Sequence, residues 1–402
     1  GRDMRVLGAE LAAAFIDGAR RAGATVIDLG LTSTDELWFA SGWRRLPGVQ
    51  LTASHNPAAY NGIKFCLADA RPVPPDFMER LRDRAADVVI GDEVRGGYRT
   101  LDALAAYADR LGELVPQRGD RGLTVVVDAG NGMAGHTART ALAGRSLELI
   151  GLYLDLDGTF PNHPANPLEP ENLVDAQRAV REHGADLALV FDGDADRCFI
   201  IDETGAVVDP SVVTAMIAVA ELARHPGATI VTNTITSRCV AEAVERAGGR
   251  IVTSRVGHTY VKALMAQEDA VFGGEHSAHY YFREFWSADT GMLAALHVIE
   301  LLRESGRRLS ELAAVYDGYA RPGEINSTVA DAAACQERVS AAFAGRATAD
   351  DVDGLTLRDE AAGWWVNLRP SNTEPLLRLN VEARDEATMT ALRDETLALV
   401  RG

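Results

Sequence analysis

Short β-branched runs alternate with segments of helical periodicity through the first three-quarters of the chain, and this alternation strongly constrains the fold. Residues 10–21 have the pattern of a helix, which Gly23 ends before a short strand at 25–27. Similar strands, several of them preceded by glycine, are predicted at 123–127, 187–191, 229–231 and 250–253. Strands that alternate with helices in this way predict layered α/β domains.

The pattern changes after about Pro322. An alanine-rich stretch that favours a helix precedes an alternating strand at 364–369, and a loop then leads into a strand at 376–381 and a last helix. This order predicts a small α+β domain with an antiparallel sheet. Because 402 residues exceed what one hydrophobic core usually organises, two to four domains are expected on length alone.

Charge and composition exclude several classes of protein. The formal net charge of −18, from 58 acidic and 40 basic side chains, disfavours nucleic acid as a partner, and any phosphate site must be built locally. No apolar run is long enough to span a bilayer and the first residues lack the layout of a secretory signal, so we expect a cytoplasmic protein with no membrane partner. The four cysteines lack CxxC spacing, which argues against zinc or disulfides and favours buried packing residues.

Asp192, Asp194 and Asp196 occupy alternate positions in a glycine-containing loop directly after the apolar run 187–191. Such spacing lets one tight loop present three carboxylates to a common point. These anions repel one another unless a cation or protons neutralise them, and hard oxygen ligands suit Mg²⁺. The alternative is a solvated acidic turn, but a triple that follows an apolar strand and precedes Arg197 favours a metal site.

Three further motifs place polar side chains in turns: TASHNP at 52–57, GEHSAH at 274–279 and RPSNTEP at 369–375. The serine of the first motif could simply cap a helix, as hydroxyls in such turns often do. The hydroxyls, amide and arginine of the third motif could bind an anion, although Ser-Asn-Thr alone is a common turn. The combination of these motifs with the acidic loop carries more information than any one of them.

The four motifs make this chain resemble the α-D-phosphohexomutase superfamily, closest to its phosphomannomutase/phosphoglucomutase branch. The resemblance covers essentially the whole chain and implies three related α/β/α domains with mixed sheets, plus a C-terminal α+β domain, around a central cleft. In the family, further residues precede the segment that corresponds to 1–5, so we expect the first sheet to lack an element. The implied domains are 1–100 with a phosphoserine loop, 101–206 with the metal loop, 207–318 with a sugar-binding loop and 319–402 with a phosphate-binding loop.

The resemblance also implies roles for individual residues. Ser54 would carry the transferable phosphoryl group and join the three aspartates as a Mg²⁺ ligand, with His55 beside the phosphate. Lys64 would move a proton, although alone it reads as an exposed charge on a turn, and Arg197 would offset charge on the transferring group. The implied substrate-binding residues are His258, Glu275, Ser277, His279, Arg369, Ser371, Asn372 and Thr373.

The activity that the resemblance implies is the interconversion of hexose 6-phosphate and hexose 1-phosphate, with mannose favoured and glucose also expected. Its cofactor would be Mg²⁺, and a hexose 1,6-bisphosphate would be both intermediate and activator. We expect sugar phosphates as partners and a monomer or dimer. The alternatives are a phosphoglucosamine mutase, a catalytically silent sugar-phosphate-binding protein, and a phosphatase-like hydrolase that would need an aspartyl nucleophile.

Overall fold

The structure is a computed structural model that describes residues 1–88, 96–371 and 376–402. Its strands and helices alternate through three α/β units and end in an antiparallel unit, as the sequence pattern predicts. The strands predicted at 123–127, 187–191 and 364–369 are all present. Within the described ranges, no helix is both long and apolar enough to cross a membrane.

The first unit contains, in chain order, α1 (Gly8–Arg21), β1 (Val26–Asp28), α2 (Thr34–Arg44), β2 (Gly48–Leu51), β3 (Ile63–Cys66), α3 (Phe77–Asp87) and β4 (Tyr98–Thr100). Its strands form two pairs, β1 with β4 in parallel and β2 with β3 antiparallel. Arg2 lies between them and makes isolated parallel bridges with Leu31 and Leu51. A cavity of about 370 Å³ with mostly apolar walls lies between α1, α2 and the strands β1 and β2. The expectation of a missing sheet element stays a prediction.

The second unit contains α4 (Leu104–Leu114), β5 (Leu123–Asp128), α5 (Ala134–Ala141), β6 (Leu147–Leu152), α6 (Val174–His183), β7 (Leu187–Phe191), β8 (Cys198–Asp202) and β9 (Val207–Val208). Its sheet has the order β6-β5-β7-β8-β9. Strands β6, β5 and β7 are parallel, whereas β8 and β9 are antiparallel to their neighbours. Because β9 belongs to this sheet, the unit extends slightly beyond the predicted boundary at 206.

The third unit repeats this arrangement. It contains α7 (Pro210–Arg224), β10 (Thr229–Asn233), α8 (Arg238–Arg246), β11 (Arg250–Ser254), α9 (His258–Glu268), β12 (Phe272–Gly274), β13 (Tyr280–Phe282), β14 (Ala288–Asp289), α10 (Gly291–Ser305) and α11 (Leu309–Ala313). Its sheet order, β11-β10-β12-β13-β14, has the same parallel and antiparallel pairs in the same places. The second and third units are therefore related in topology, as the resemblance implies.

The fourth unit differs in kind. It contains β15 (Ile325–Thr328), α12 (Ala332–Ala342), β16 (Thr348–Asp350), β17 (Leu355–Asp359), β18 (Trp364–Pro370), β19 (Leu376–Glu382) and α13 (Glu386–Arg401). Its strands form one antiparallel sheet in the order β15-β19-β18-β17-β16. The predicted α+β domain with an antiparallel sheet is confirmed.

The hydrophobic core is divided between the first three units and the fourth. One cluster of buried side chains runs continuously from Leu37 in the first unit to Tyr319, whereas the fourth unit packs around a cluster of its own. Arg321 bridges the two parts, because its guanidinium contacts Asp209 at 3.1 Å and Glu382 at 3.2 Å. All four cysteines are buried, as expected from their spacing.

The start of helix α2 joins the first three units. Ser33 caps the helix by accepting a hydrogen bond from the Glu36 N–H at 3.2 Å. Asp35 accepts hydrogen bonds from the hydroxyls of Tyr107, at 2.6 Å, and Thr290, at 2.7 Å. Tyr107 lies in α4 and Thr290 caps α10, so one buried carboxylate receives donors from the second and third units. Burial raises the pKa of Asp35 to about 6.

Glu36 provides a pH-dependent test of this junction. Burial, and then the charge of Asp35, raises the pKa of Glu36 from 4.5 to about 8. The folded chain thus holds this proton more tightly than the unfolded chain, so its stability falls as the pH rises through that window. Glutamine does not ionise, so Glu36→Gln removes this pH-dependent loss of stability. Its free energy of unfolding relative to the parent should therefore increase with pH, by on the order of 1 kcal/mol per pH unit.

Urea unfolding followed at several pH values between about 5 and 8 measures this difference. Glu10→Gln, which changes an exposed glutamate of α1, is the matched control and should follow the parent curve. Parallel curves for the parent and Glu36→Gln would show that Glu36 ionises as easily in the folded chain as in the unfolded one.

Candidate active site

Ser54 lies in the turn between β2 and β3, with a left-handed backbone at φ 50°. Left-handed backbone is uncommon for a residue with a side chain, and it is found where the surroundings hold a residue in place. The Ser54 hydroxyl donates to Asp192 Oδ2 at 2.8 Å and accepts from Arg197 Nη2 at 2.8 Å. A strand follows this turn, so Ser54 does not cap a helix. The Ser54 hydroxyl thus lies between the Asp192 carboxyl group and the Arg197 guanidinium.

Arg5 binds the backbone of the Ser54 turn. Its guanidinium donates four hydrogen bonds to backbone carbonyls of the turn, at distances between 2.6 and 2.9 Å. The acceptors are the carbonyl oxygens of Ser54, Asn56, Pro57 and Tyr60. Asp3 pairs with the same guanidinium at 3.3 Å, and both side chains are buried. Sequence analysis missed Arg5, because its partners lie about fifty residues away.

The three aspartates of the predicted metal loop converge as expected. Asp192, Asp194 and Asp196 are all buried, and one carboxylate oxygen of each lies within 4.8 Å of the others. Lys64 approaches from β3 and contacts Asp194 Oδ2 and Asp196 Oδ2, each at 2.6 Å. Burial alone would lower the pKa of Lys64, but these two carboxylates raise it above its ordinary value. Lys64 is therefore a charged partner of the loop and not an exposed turn residue.

The donor set fits a divalent cation. Asp194 Oδ1 and Asp196 Oδ1 are buried, and neither has a hydrogen-bond partner in the part of the chain that the structure describes. Buried carboxylate oxygens without donors are costly unless a cation binds them. Burial, together with the nearby carboxylates, raises the pKa of Asp192 to about 8 even though Arg197 opposes the shift. Hard oxygen ligands of this kind suit Mg²⁺.

Arg197 and His55 complete the surroundings of the Ser54 hydroxyl. The Arg197 backbone N–H and Nε both donate to the Asp192 carboxylate, at 3.2 and 3.0 Å. His55 Nδ1 lies 3.4 Å from Ser54 Oγ and also contacts Arg197 Nη2. Burial and then the charge of Arg197 lower the pKa of His55 to about 4, so its ring is neutral at pH 7. Asp192, Arg197 and His55 thus surround the Ser54 hydroxyl oxygen, and Lys64 contacts the neighbouring carboxylates of Asp194 and Asp196.

The predicted sugar loop lies directly beside the metal loop. His279 and Arg197 form an isolated antiparallel backbone bridge, and His279 Nε2 lies 3.7 Å from Asp196 Oδ1. Ser277 Oγ is 3.0 Å from His279 Nδ1. Burial and then the charge of Arg197 lower the pKa of His279 to about 3, so it is a neutral hydrogen-bonding group.

Glu275 is buried and already has three hydrogen-bond donors. Its Oε1 accepts from Asn233 Nδ2 at 2.8 Å and from the Gly257 N–H at 3.1 Å, and its Oε2 accepts from the Tyr281 hydroxyl at 2.5 Å. A carboxylate has about four acceptor positions, so about one remains for a further donor. The carboxylate also fixes Gly257, the residue that precedes His258 at the start of α9.

Lys262 and Asp289 form a buried ion pair of 2.5 Å next to this loop, and sequence analysis missed both. Asp289, His279 and Asp196 place their ligand atoms within 4.8 Å of one another. Lys262 follows His258 by four residues on α9, a spacing that puts both on one helix face and could have identified Lys262. Burial and then the charge of Lys262 lower the pKa of His258 to about 4.

The predicted phosphate loop begins at the end of β18. Arg369 lies 3.6 Å from Glu324 and 3.8 Å from Asp353, and Asp353 accepts from the Val256 N–H at 3.0 Å. Arg369 is therefore connected to the segment that precedes His258. Ser371 donates its backbone N–H to the Leu376 carbonyl at 2.8 Å. Asn372 and Thr373 lie outside the described residues.

All four motifs occupy the same kind of position. Each connects two neighbouring antiparallel strands: β2 to β3, β7 to β8, β12 to β13 and β18 to β19. Each of the four units thus contributes one hairpin connection. Contacts join the first three connections directly, and Asp353 links the third unit to Arg369 in the fourth.

Comparison with known proteins identifies the class to which this fold and site belong. Models of the phosphoglucomutase/phosphomannomutase family match the chain in four parts: α/β/α domain I at residues 1–89, domain II at 105–205, domain III at 209–319 and the C-terminal domain at 324–399. The chain belongs to this family, and it is a phosphohexomutase, an isomerase.

Individual relatives agree with the family models. The chain is 41% identical to a phosphomannomutase of Salmonella montevideo over 415 residues, covering all of this chain and 90% of that relative. It is 40% identical to a protein described as phosphohexose mutases of Xanthomonas campestris, covering 100% and 91%. A crystal structure of a phosphoglucomutase/phosphomannomutase family protein from Burkholderia thailandensis superposes with a TM-score of 0.89 at 30% identity, covering 100% and 88%.

The Arg5 contacts predict a defect in the Ser54 turn. Lysine cannot donate to four carbonyls in two directions, so Arg5→Lys leaves buried acceptors unpaired. We expect mutase activity to fall about 10- to 100-fold, because the turn no longer holds Ser54 in place. Amide hydrogen exchange should accelerate at residues 54–60 while β5 and β7 stay protected.

Arg20→Lys is the control for this prediction. Arg20 lies in the same unit and donates through Nε to one carbonyl, that of Gly96, at 3.2 Å. Parent-like activity and exchange in Arg5→Lys would mean that other contacts hold the turn.

Proposed function

We propose that this phosphohexomutase is a Mg²⁺-dependent phosphomannomutase that also accepts glucose phosphates, and that it acts through a phosphoserine at Ser54. The observation that carries the proposal is the Ser54 hydroxyl, which lies 2.8 Å from both Asp192 and Arg197 at the edge of the acidic loop. The names of the relatives, phosphomannomutase and phosphohexose mutases, support the same substrates. A cytoplasmic location and a monomeric or dimeric state stay predictions.

In the proposed reaction, phosphorylated Ser54 transfers its phosphoryl group to the free hydroxyl of a bound hexose phosphate. The bond between phosphorus and Ser54 Oγ breaks as the bond to the sugar oxygen forms, and the proton of the sugar hydroxyl ends on Oγ. The product is a hexose 1,6-bisphosphate. When this intermediate binds in the opposite orientation, its other phosphoryl group returns to Ser54 by the reverse step. A 1,6-bisphosphate would also prime the unphosphorylated protein.

The residues around Ser54 match the needs of this step. Arg197 donates to Oγ and would offset the negative charge that develops there as the bond breaks. Lys64, protonated among the aspartates, is the proposed proton carrier: it would donate its proton to the departing Oγ and then take up the proton of the sugar hydroxyl. Ser54 and the three aspartates would hold Mg²⁺, which neutralises charge on the transferring group when it is bound.

The remaining motifs would hold the two ends of the sugar phosphate. Arg369, Ser371, Asn372 and Thr373 are proposed to bind the phosphate that is distant from Ser54. Glu275, Ser277 and His279 are proposed to contact sugar hydroxyls, and His258 to lie near the sugar phosphate. Support for the second group is the position of His279, which is 3.7 Å from Asp196 and bridged to Arg197.

The first test concerns the nucleophile. Protein incubated with glucose 1,6-bisphosphate should gain one phosphoryl group by intact mass, and Ser54→Ala should gain none. Ser41→Ala removes another buried hydroxyl of the same unit, which contacts the Leu46 carbonyl, and should gain the group normally. A phosphoryl adduct that persists in Ser54→Ala would place the nucleophile elsewhere and favour an aspartyl mechanism.

The second test concerns sugar choice. We expect turnover of both mannose 1-phosphate and glucose 1-phosphate, and much less of glucosamine 1-phosphate. Glu275→Gln should reduce turnover of the first two at least about tenfold, because the amide nitrogen cannot accept from donors that now face the carboxylate. Phosphorylation of Ser54 by a bisphosphate should persist in this variant.

Glu304→Gln, which changes a partly exposed glutamate paired with Arg118, is the control for this substitution. Preference for glucosamine 1-phosphate would identify a phosphoglucosamine mutase instead. Absence of turnover with all three sugars would favour a silent binding protein, and parent rates in Glu275→Gln would remove this loop from sugar recognition.

A further inference from the structure

Asp194 in the metal loop has an unequal hydrogen-bond environment. Its Oδ2 accepts from three donors: the Thr34 hydroxyl at 2.5 Å, the Lys64 ammonium at 2.6 Å and the Thr52 hydroxyl at 3.1 Å. Its Oδ1 is also buried, yet it has no hydrogen-bond partner among residues 1–88, 96–371 and 376–402. One oxygen of the carboxylate is thus saturated, and the other is free to bind a cation.

Thr34 reaches Asp194 from the first turn of α2. Besides its hydroxyl contact, the Thr34 backbone N–H donates to the Asp194 carbonyl at 2.9 Å, so two bonds connect these residues. The position of Thr34 is itself fixed, because Ser33 caps the helix and Asp35 is bound to the second and third units. The Thr34 hydroxyl is therefore presented to the metal loop by a helix start that is bound to the second and third units.

Thr52 reaches the same oxygen from the end of β2. Its hydroxyl donates to Asp194 Oδ2 and accepts from the Ser54 N–H at 2.9 Å. A single buried hydroxyl thus connects the turn that carries Ser54 with the loop that carries the aspartates. Lys64 adds charge at this oxygen, but a flexible ammonium does not define a direction as two buried hydroxyls do.

We propose that Thr34 and Thr52 are positioning residues for the divalent cation: their hydroxyls occupy Asp194 Oδ2 and so turn Oδ1 toward the metal as a single-oxygen ligand. Groups that hydrogen-bond to metal ligands fix ligand orientation, and their loss typically weakens metal binding 10- to 100-fold. The inference rests on the proposed function, because it takes Asp194 to be a Mg²⁺ ligand.

The test is Mg²⁺ binding by the full chain, measured by calorimetric titration with the metal alone on unphosphorylated protein. Thr34→Val and Thr52→Val keep the shape of the side chain and remove the donor. Each should weaken Mg²⁺ binding about tenfold or more, and Thr34→Ser, which keeps the hydroxyl, should restore most of the affinity. Turnover of the phosphorylated variants should recover as the Mg²⁺ concentration is raised. The substitutions should change the Mg²⁺ concentration that gives half of the maximal rate more than they change the maximal rate itself.

Thr396→Val is the matched control, because Thr396 is a buried threonine of α13 whose hydroxyl donates to the Leu392 carbonyl of the same helix at 2.7 Å. It should bind Mg²⁺ like the parent. Parent-like affinity in both valine variants would overturn the inference, as would a failure of Thr34→Ser to restore binding. Equal affinity in the parent and Asp194→Asn would overturn the metal assignment itself, which separates failure of the proposed function from failure of this inference.

Discussion

Three carboxylates buried on one short loop are the constraint on which the rest of the site depends. Taking such groups out of water costs several kcal/mol each unless opposite charge or hydrogen bonds offset the loss. Arg197 supplies one positive charge from the loop itself, and Lys64 supplies another from the first unit. Because Lys64 must reach the loop, β3 lies against the second unit, and the turn that precedes β3 brings Ser54 to the same place. The position of Ser54, the proposed nucleophile, therefore follows from charge compensation.

The convergence of Asp192, Asp194 and Asp196 could be predicted because its signal is local: alternate aspartates directly follow an apolar strand. Strand and helix alternation is predictable for the same reason, since each element has its own period. The partners of Asp194 could not be predicted in this way. Thr34 lies 160 residues from it, and a contact across that distance leaves no spacing pattern in one sequence. Glu275 is an intermediate case, because its motif marked it as functional while its three internal donors came from other elements.

The repeated hairpin position explains how one candidate site receives residues from several units. In the second and third units the same strand of the same sheet order leads into the connection that carries the motif, with the proposed metal ligands in one and the proposed sugar loop in the other. A connection between antiparallel strands is fixed at both ends by the paired strands, which helps to hold its residues in position. The Arg197 and His279 bridge joins the two equivalent connections edge to edge. The second and third units thus share a topology but carry different polar residues in their equivalent connections.

The unequal division of the hydrophobic core bears on how the protein can diverge. A change that leaves a void in the large cluster is felt by three functional connections at once, because close-packed interiors transmit strain. A change inside the hydrophobic cluster of the fourth unit affects one such connection, the one between β18 and β19. Ion pairs such as those of Arg321, whose side chain is 12% exposed, join this unit to the third. These buried pairs have to be kept, because leaving one partner alone would be costly. Selection can therefore alter the fourth unit, which carries the proposed phosphate loop, with less disturbance to the three units that carry the proposed reacting groups.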